Sequence, residues 1–355
     1  MKNEQLFSQF TLKGLIAKNR IVFPPVVCFH YAGEDGMVIP RNIEHYRLRA
    51  EGGAGIVITE ATAVLKEGRL APFQLGIWSD DHIPGMQKIT EIVKTSGAIS
   101  LLQIHHAGLV TKEDISEFAK GPSIDDKNPR SQALSLEEIG KIRDAFFIGA
   151  ARAQKAGYDG IELHGAHGYL LNQFASSFFN RREDEYGGSL EKNLKFAGEI
   201  IHGIRKECGD DFIIGYRLGA NSPTLDDGIK IAEHLENSGI DLLHVSHGGS
   251  LLNLPRTPMD FEYNWIVYSG ITIKRHVTVP VIAVNEIKTP DRAAWLIEND
   301  LIDFVALGRP QLADPSWVNH VKNNEPVNVC SNCKPKCRWY EDSELCPAVQ
   351  RIKTI

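Results

Sequence analysis

Three side chains in one short stretch have types and spacing suited to joint chemistry: His164, His167 and Tyr169. Histidines three apart on a helix can hold zinc. At a strand end running into a turn, two neutral imidazoles can instead donate hydrogen bonds to a substrate oxygen. Residues three apart on a pleated strand point to opposite sides, so this second arrangement requires the turn to redirect one ring. No third zinc ligand stands nearby in sequence. Tyr169 falls in the same turn, where a phenol can give up a proton; the plain alternative is a packed aromatic.

A second set suits an anion. Gly308 precedes Arg309, and the run Val284-Asn285-Glu286 ends another apolar segment. Backbone N–H groups, a small residue and an arginine meet the needs of a phosphate dianion. The alternative is an arginine in a rim salt bridge. A third set is made of thiols. Cys28 and Cys208 stand alone, whereas Cys330, Cys333, Cys337 and Cys346 crowd the C-terminal end. A disulfide framework is not expected in a cytoplasmic chain, so the crowded thiols point to metal binding.

These groups need elements to hold them. Apolar β-rich runs at 20–26, 55–62, 99–106, 160–167, 212–219, 242–248, 279–284 and 303–309 alternate with amphipathic helical stretches. Strands that are apolar on both faces belong in a buried parallel sheet. Eight such strands separated by helices predict a (β/α)₈ TIM barrel, an α/β fold. An open doubly wound sheet is disfavoured because no G-x-G-x-x-G follows the first strand. The barrel is expected over residues 1–325, with a short Cys-rich metal-binding tail over 326–355. The connection at 107–135 reads equally as an active-site loop or a surface excursion.

In such a barrel the reactive groups collect at the C-terminal ends of the strands. The sequence places Glu60, Gln103, His105, His106, Glu162, His164, His167, Arg217, Ser246, His247, Asn285, Glu286 and Arg309 there. A purely structural barrel needs none of these, and each must find a partner. Their convergence argues for a polar ligand. The 355 residues are 43% hydrophobic and 24% charged with net charge −6, a composition of soluble globular proteins that offers no basic face for nucleic acid. No apolar run approaches the roughly 20 residues that cross a bilayer, and no signal peptide is evident. A cytoplasmic location with no membrane partner is expected.

The stretch HGAHGYLLNQFASSFFNRREDEYGGS (164–189) resembles the signature of the old yellow enzyme family, the NADH:flavin oxidoreductases. KNRIVFPP (18–25), LGIWSDDHIPGM (75–86), LQIHHAG (102–108), AGYDGIELH (156–164) and LGRPQLADP (307–315) extend the resemblance over residues 5–320. It implies FMN at the barrel rim and NAD(P)H as electron donor. Pro25, Val26, Val27 and Ala61 would line the flavin, and Gln103 would bond its pyrimidine edge. Arg217 would stabilise negative charge on the reduced ring. Asn285, Gly308 and Arg309 would hold the phosphate. His164 and His167 would polarise a substrate carbonyl and Tyr169 would protonate Cα, while hydride from the flavin reaches Cβ. A tuning Thr or Cys usual in relatives falls at Val27, with Cys28 one residue late. Asn285 stands where a Gly is common, and Leu109 where a close bacterial subgroup has Arg.

The tail resembles the iron–sulfur segment of the 2,4-dienoyl-CoA reductase and trimethylamine dehydrogenase branch, without that branch's C-terminal nucleotide-binding domains. Cys330, Cys333 and Cys337 match its C-x2-C-x3-C, and Cys346 follows sooner than in those relatives. Four thiolates can hold [4Fe–4S] or zinc. The implied activity is reduction of activated C=C bonds in an unsaturated small molecule, with electrons from NAD(P)H or a separate donor protein. The alternatives are an FMN dehydrogenase oxidising an amine-like substrate and a zinc-stapled metabolite-binding barrel. Relatives of this kind are often homo-oligomers, though no interface is readable.

Overall fold

The computed structural model describes residues 3–28, 31–250, 253–340 and 342–353. Eight parallel strands close into a barrel in chain order: β1 (Ile21–Phe23), β2 (Ile56–Ala63), β3 (Ile99–His105), β4 (Gly160–Gly165), β5 (Ile213–Gly219), β6 (Leu242–Ser246), β7 (Val281–Val284) and β8 (Phe304–Ala306). Each of the eight predicted runs overlaps one of them, β2 ending one residue beyond its run. Every residue of β2 to β6 is buried, as the doubly apolar runs require.

The barrel lumen is filled from below by Val22, Ile56, Ile58, Ile99, Leu101, Ile213, Leu242, Ile282 and Phe304. An antiparallel ribbon, Phe10–Leu12 against Leu15–Ala17, closes this end, with Phe10 packed edge-on against Phe304 at 4.9 Å. Truncating a fully buried aromatic such as Phe304 to Ala would cost ~3–5 kcal/mol. The polar side chains therefore have only the opposite end of the lumen to occupy.

Seven long helices surround the strands: α1 (Pro40–Glu51), α2 (Ile83–Thr95), α3 (Leu136–Lys155), α4 (Leu190–Cys208), α5 (Leu225–Asn237), α6 (Trp265–Lys274) and α7 (Pro290–Glu298). Their starts are written in capping residues. Ser135 accepts from Glu138 N–H while Glu138 returns a bond to Ser135 N–H, and Thr224 with Asp227 repeats the pattern at α5. The long 107–135 connection carries a small parallel pair, Ala119–Gly121 with Ser131–Ala133. The C-terminal tail packs onto the barrel. Trp339, Cys346 and Ala348 share one apolar cluster with Tyr31, Tyr46 and Leu312. Among the described residues no helix is long and apolar enough to cross a membrane.

Candidate active site

The turn after β4 carries the His/His/Tyr set. His167 adopts φ 61° and Gly168 φ 76°, and this left-handed pair turns the His167 ring back toward His164. The turn is fastened by Asn172, whose Oδ1 accepts from Gly168 N–H and Gly249 N–H, both at 2.9 Å. His164 Nε2 then lies 3.0 Å from His167 Nδ1, and His167 Nε2 lies 2.8 Å from Ser246 Oγ. His164 Nδ1 is buried and makes no hydrogen bond. Tyr169 sits edge-on to His164 at 4.6 Å and to His105 at 4.5 Å. Burial holds both His164 and His167 well below the usual histidine value, and Arg217 pushes the same way. They are neutral imidazoles. Burial raises the Tyr169 phenol, with Arg217 opposing it, so it keeps its proton until a partner removes it.

Below this turn lies a polar layer inside the lumen. Strand register sets His164, Arg217 and His244 side by side, and Gln103 beside Glu162. Gln103 Nε2 donates to Glu162 Oε1 at 2.7 Å, and His244 Nδ1 contacts Glu162 Oε2 at 2.8 Å. Gln103 Oε1, Arg217 Nε and His244 Nε2 are buried without a hydrogen bond. A buried polar atom left unpaired costs ~1–3 kcal/mol, so three in one layer call for a ligand with complementary groups. Arg217 is 8% exposed; burial lowers its pKa, and the Glu162 charge opposes that.

Above the layer opens a cavity of about 320 Å³. Pro25, Val26 and Val27 form one wall, His164, His167, Tyr169 and Arg217 another. Val27 faces the cavity. Cys28 turns into the protein, 1% exposed, with its N–H donating to Glu60 Oε2 at 2.8 Å. Burial, then the Glu60 charge, raises its thiol. Ala61 is buried in the bulged part of β2, between Thr59 and Thr62, with its carbonyl accepting from Gln74; Leu70 lines the cavity on that side. The same bulge corrects one expectation. Glu60 is not part of the ligand rim but points outward to Tyr46 and Cys28, and burial raises its carboxyl to about 7. His247 stays at the rim, its ring 4.5 Å from that of His167.

The far end of the cavity contains Asn285, Glu286, Lys288, Gly308 and Arg309. Asn285 and Glu286 take φ 92° and 56°. That conformation favours glycine, and asparagine tolerates it better than most other side chains. Arg309 pairs with Glu286, which also pairs with Lys288. The two cations fit a phosphate, for which Glu286 competes. The polar set thus matches FMN at both ends: an amide oxygen that can accept and a guanidinium that can donate for the ring, and a basic pocket for the phosphate. Tyr340, from the tail, also lines the cavity, and nothing in its sequence neighbourhood signals this. His244 was equally hidden, because its strand offered Ser246 and His247 as the terminal polar residues.

The four tail thiols are free. Among the described residues no group of three or more His, Cys, Asp or Glu side chains stands in metal-binding geometry. Asn332 N–H donates to Cys330 Sγ at 3.5 Å. Burial raises Cys337, the N–H groups of Trp339 and Tyr340 oppose it, and the nearby Cys330 and Cys346 add to it.

Residues 5–328 match the NADH:flavin oxidoreductase / NADH oxidase family. An NADH oxidase of Thermoanaerobacter brockii is 39% identical over 349 residues, 94% of this chain and 53% of that protein. An NADPH dehydrogenase of Halalkalibacterium halodurans is 36% identical over 318 residues, 88% of this chain and 92% of that protein. The chain therefore spans about half the length of the first relative and nearly all of the second. A 2-naphthoyl-CoA reductase, solved with 2-naphthoyl-CoA, superposes with a TM-score of 0.83 at 27% identity, over 92% of this chain and 53% of that one.

Proposed function

Because the chain belongs to the NADH:flavin oxidoreductase / NADH oxidase family, we propose that it uses FMN and NAD(P)H to reduce activated C=C bonds in a small unsaturated substrate. One observation carries the reading: a 320 Å³ rim cavity lined by Arg217 at one end and by Arg309 with Lys288 at the other, above a buried layer in which Gln103 Oε1 and Arg217 Nε have no partner. Bound FMN would supply hydride transfer between nicotinamide and substrate.

The chain's own groups do the rest. Pro25, Val26 and Val27 offer an apolar wall, and Arg217 supplies a fixed positive charge in a dry setting. Asn285, Gly308 and Arg309 would hold the phosphate. His164 and His167, neutral through burial, orient a carbonyl oxygen by hydrogen bonding without needing to ionise. Tyr169 lines the same cavity and gives its proton to the substrate carbon next to that carbonyl. The relatives named NADH oxidase, NADPH dehydrogenase and 2-naphthoyl-CoA reductase support a pyridine-nucleotide donor and a conjugated carbonyl or thioester acceptor.

Cys330, Cys333, Cys337 and Cys346 would hold a [4Fe–4S] cluster, with zinc the alternative. The crowding of four cysteines between 330 and 346 and the amide-to-sulfur hydrogen bond at Cys330 support this reading. A cluster would supply one-electron storage and a docking route for a separate donor protein. The test is a two-step anaerobic experiment on FMN-loaded protein. NAD(P)H should bleach the flavin, and an enone should restore its colour. Failure of the enone, with an amine reducing the flavin instead, would overturn the reductive assignment.

A further inference from the structure

Gln103 poses a question of polarity. Its amide has a donor end and an acceptor end of nearly the same shape, and the bonds it makes decide which end faces which way. Its Nε2 is 2.7 Å from Glu162 Oε1. A carboxylate only accepts, so the amide NH₂ must face Glu162 and the carbonyl must face away. That carbonyl oxygen is buried and unpaired. Glu162 is itself pinned from the other side by His244 Nδ1 at 2.8 Å. The bond fixes the His244 tautomer too, leaving Nε2 as a bare acceptor, also buried and unpaired. Gln103, Glu162 and His244 are 0%, 1% and 0% exposed, so bulk water does not reach them.

We propose that Glu162 is a positioning residue that sets the polarity of Gln103 and thereby the hydrogen-bond code of the ring site. The code is an acceptor at Gln103 Oε1 and a donor at Arg217 Nε, both buried without a partner, on the strands that flank the one carrying Glu162. It selects a ring edge that presents an N–H next to a carbonyl, as a cyclic imide does. It rejects an edge with the reverse order, because the buried groups would then face their own kind. The proposal rests on the flavin reading and deepens it, since the pyrimidine edge of FMN carries such an imide.

The test is hydrogen exchange followed by NMR. In flavin-free wild-type protein the Gln103 side-chain NH₂, identified by its loss in Gln103→Leu, should exchange slowly because Glu162 holds it. With nitrogen-labelled FMN at saturation, the bound imide N–H should exchange at least roughly tenfold more slowly in wild type than in Glu162→Leu, where the amide is free to turn. Fast exchange of the Gln103 amide in wild type overturns the proposal even if the Glu162 variant does not fold. Equal imide protection in wild type and Glu162→Leu overturns it as well. In both cases FMN still binds and the flavin reading stands; no FMN binding to wild type overturns both.

Discussion

His164 Nε2 and His167 Nδ1 are hydrogen-bonded to one another at 3.0 Å, and His167 Nε2 is bonded to Ser246 Oγ. The pair therefore acts as a unit, with only His164 Nδ1 left unpaired among its four nitrogens. For both rings to donate to one substrate oxygen, their mutual bond must open. Residues coupled in this way do not contribute additively. His164→Asn and His167→Asn should each raise the KM for an enone, and the double variant should lose less than the product of the two effects, by ~0.5–3 kcal/mol in coupling. Steady-state kinetics on the four proteins measures this. Multiplicative effects would mean the rings bind the substrate independently.

Tyr169→Phe separates proton delivery from electron delivery. The ring still packs against His105 and His164, so the fold should be unaffected. Flavin reduction by NAD(P)H should stay within about twofold of wild type, and enone-driven reoxidation should slow by ~10²–10⁴-fold. Stopped-flow absorbance reads the two steps separately. Equal losses in both would remove Tyr169 from the proton-donor role.

Acid stability should be limited by histidines buried in their neutral form. Burial depresses His105 to about 3 and His106 to about 4, against the ordinary 6.5. The unfolded chain then binds more protons than the folded one below pH 6.5. Their stabilisation is full above that pH and is lost as pH falls toward the folded values, by up to ~1.4 kcal/mol per unit for each group. Glu60, raised to about 7, works the other way between its ordinary 4.5 and 7, where acidification favours the folded form. His105 has no hydrogen bond at either nitrogen, so His105→Leu should stabilise the protein at pH 5 by about 2 kcal/mol and flatten the acid limb of a urea-unfolding series. An unchanged slope would show that His105 does not titrate on unfolding.

The barrel was legible because alternating apolar strands and capped helices leave little choice of topology. The residues that terminate strands, such as Arg217 and His164, were legible for the same reason: a polar side chain ending an apolar run must emerge at the rim. What escaped depends on local irregularity. A bulge in β2 turns Glu60 out of the rim, whereas Val27 faces the cavity in the register the sequence suggested. The bulge leaves no periodic trace. His244 lies inside its strand rather than at its end, and Tyr340 reaches the site through tertiary packing of the tail, where Trp339 is anchored between Tyr31 and His45. The left-handed backbone at Asn285 is likewise invisible without coordinates, because Asn tolerates that conformation without requiring it.

The central claim, that Arg217 faces the ring of FMN at the barrel mouth, is tested most directly by equilibrium binding of FMN to wild type and to Arg217→Met. Methionine fills much of the same buried space without needing a partner, so the variant should fold. The account predicts one FMN per chain in wild type and an affinity at least ~100-fold weaker in the variant, as loss of a buried charge-assisted contact implies. Equal affinity in the two proteins, or no FMN bound to either, would contradict it.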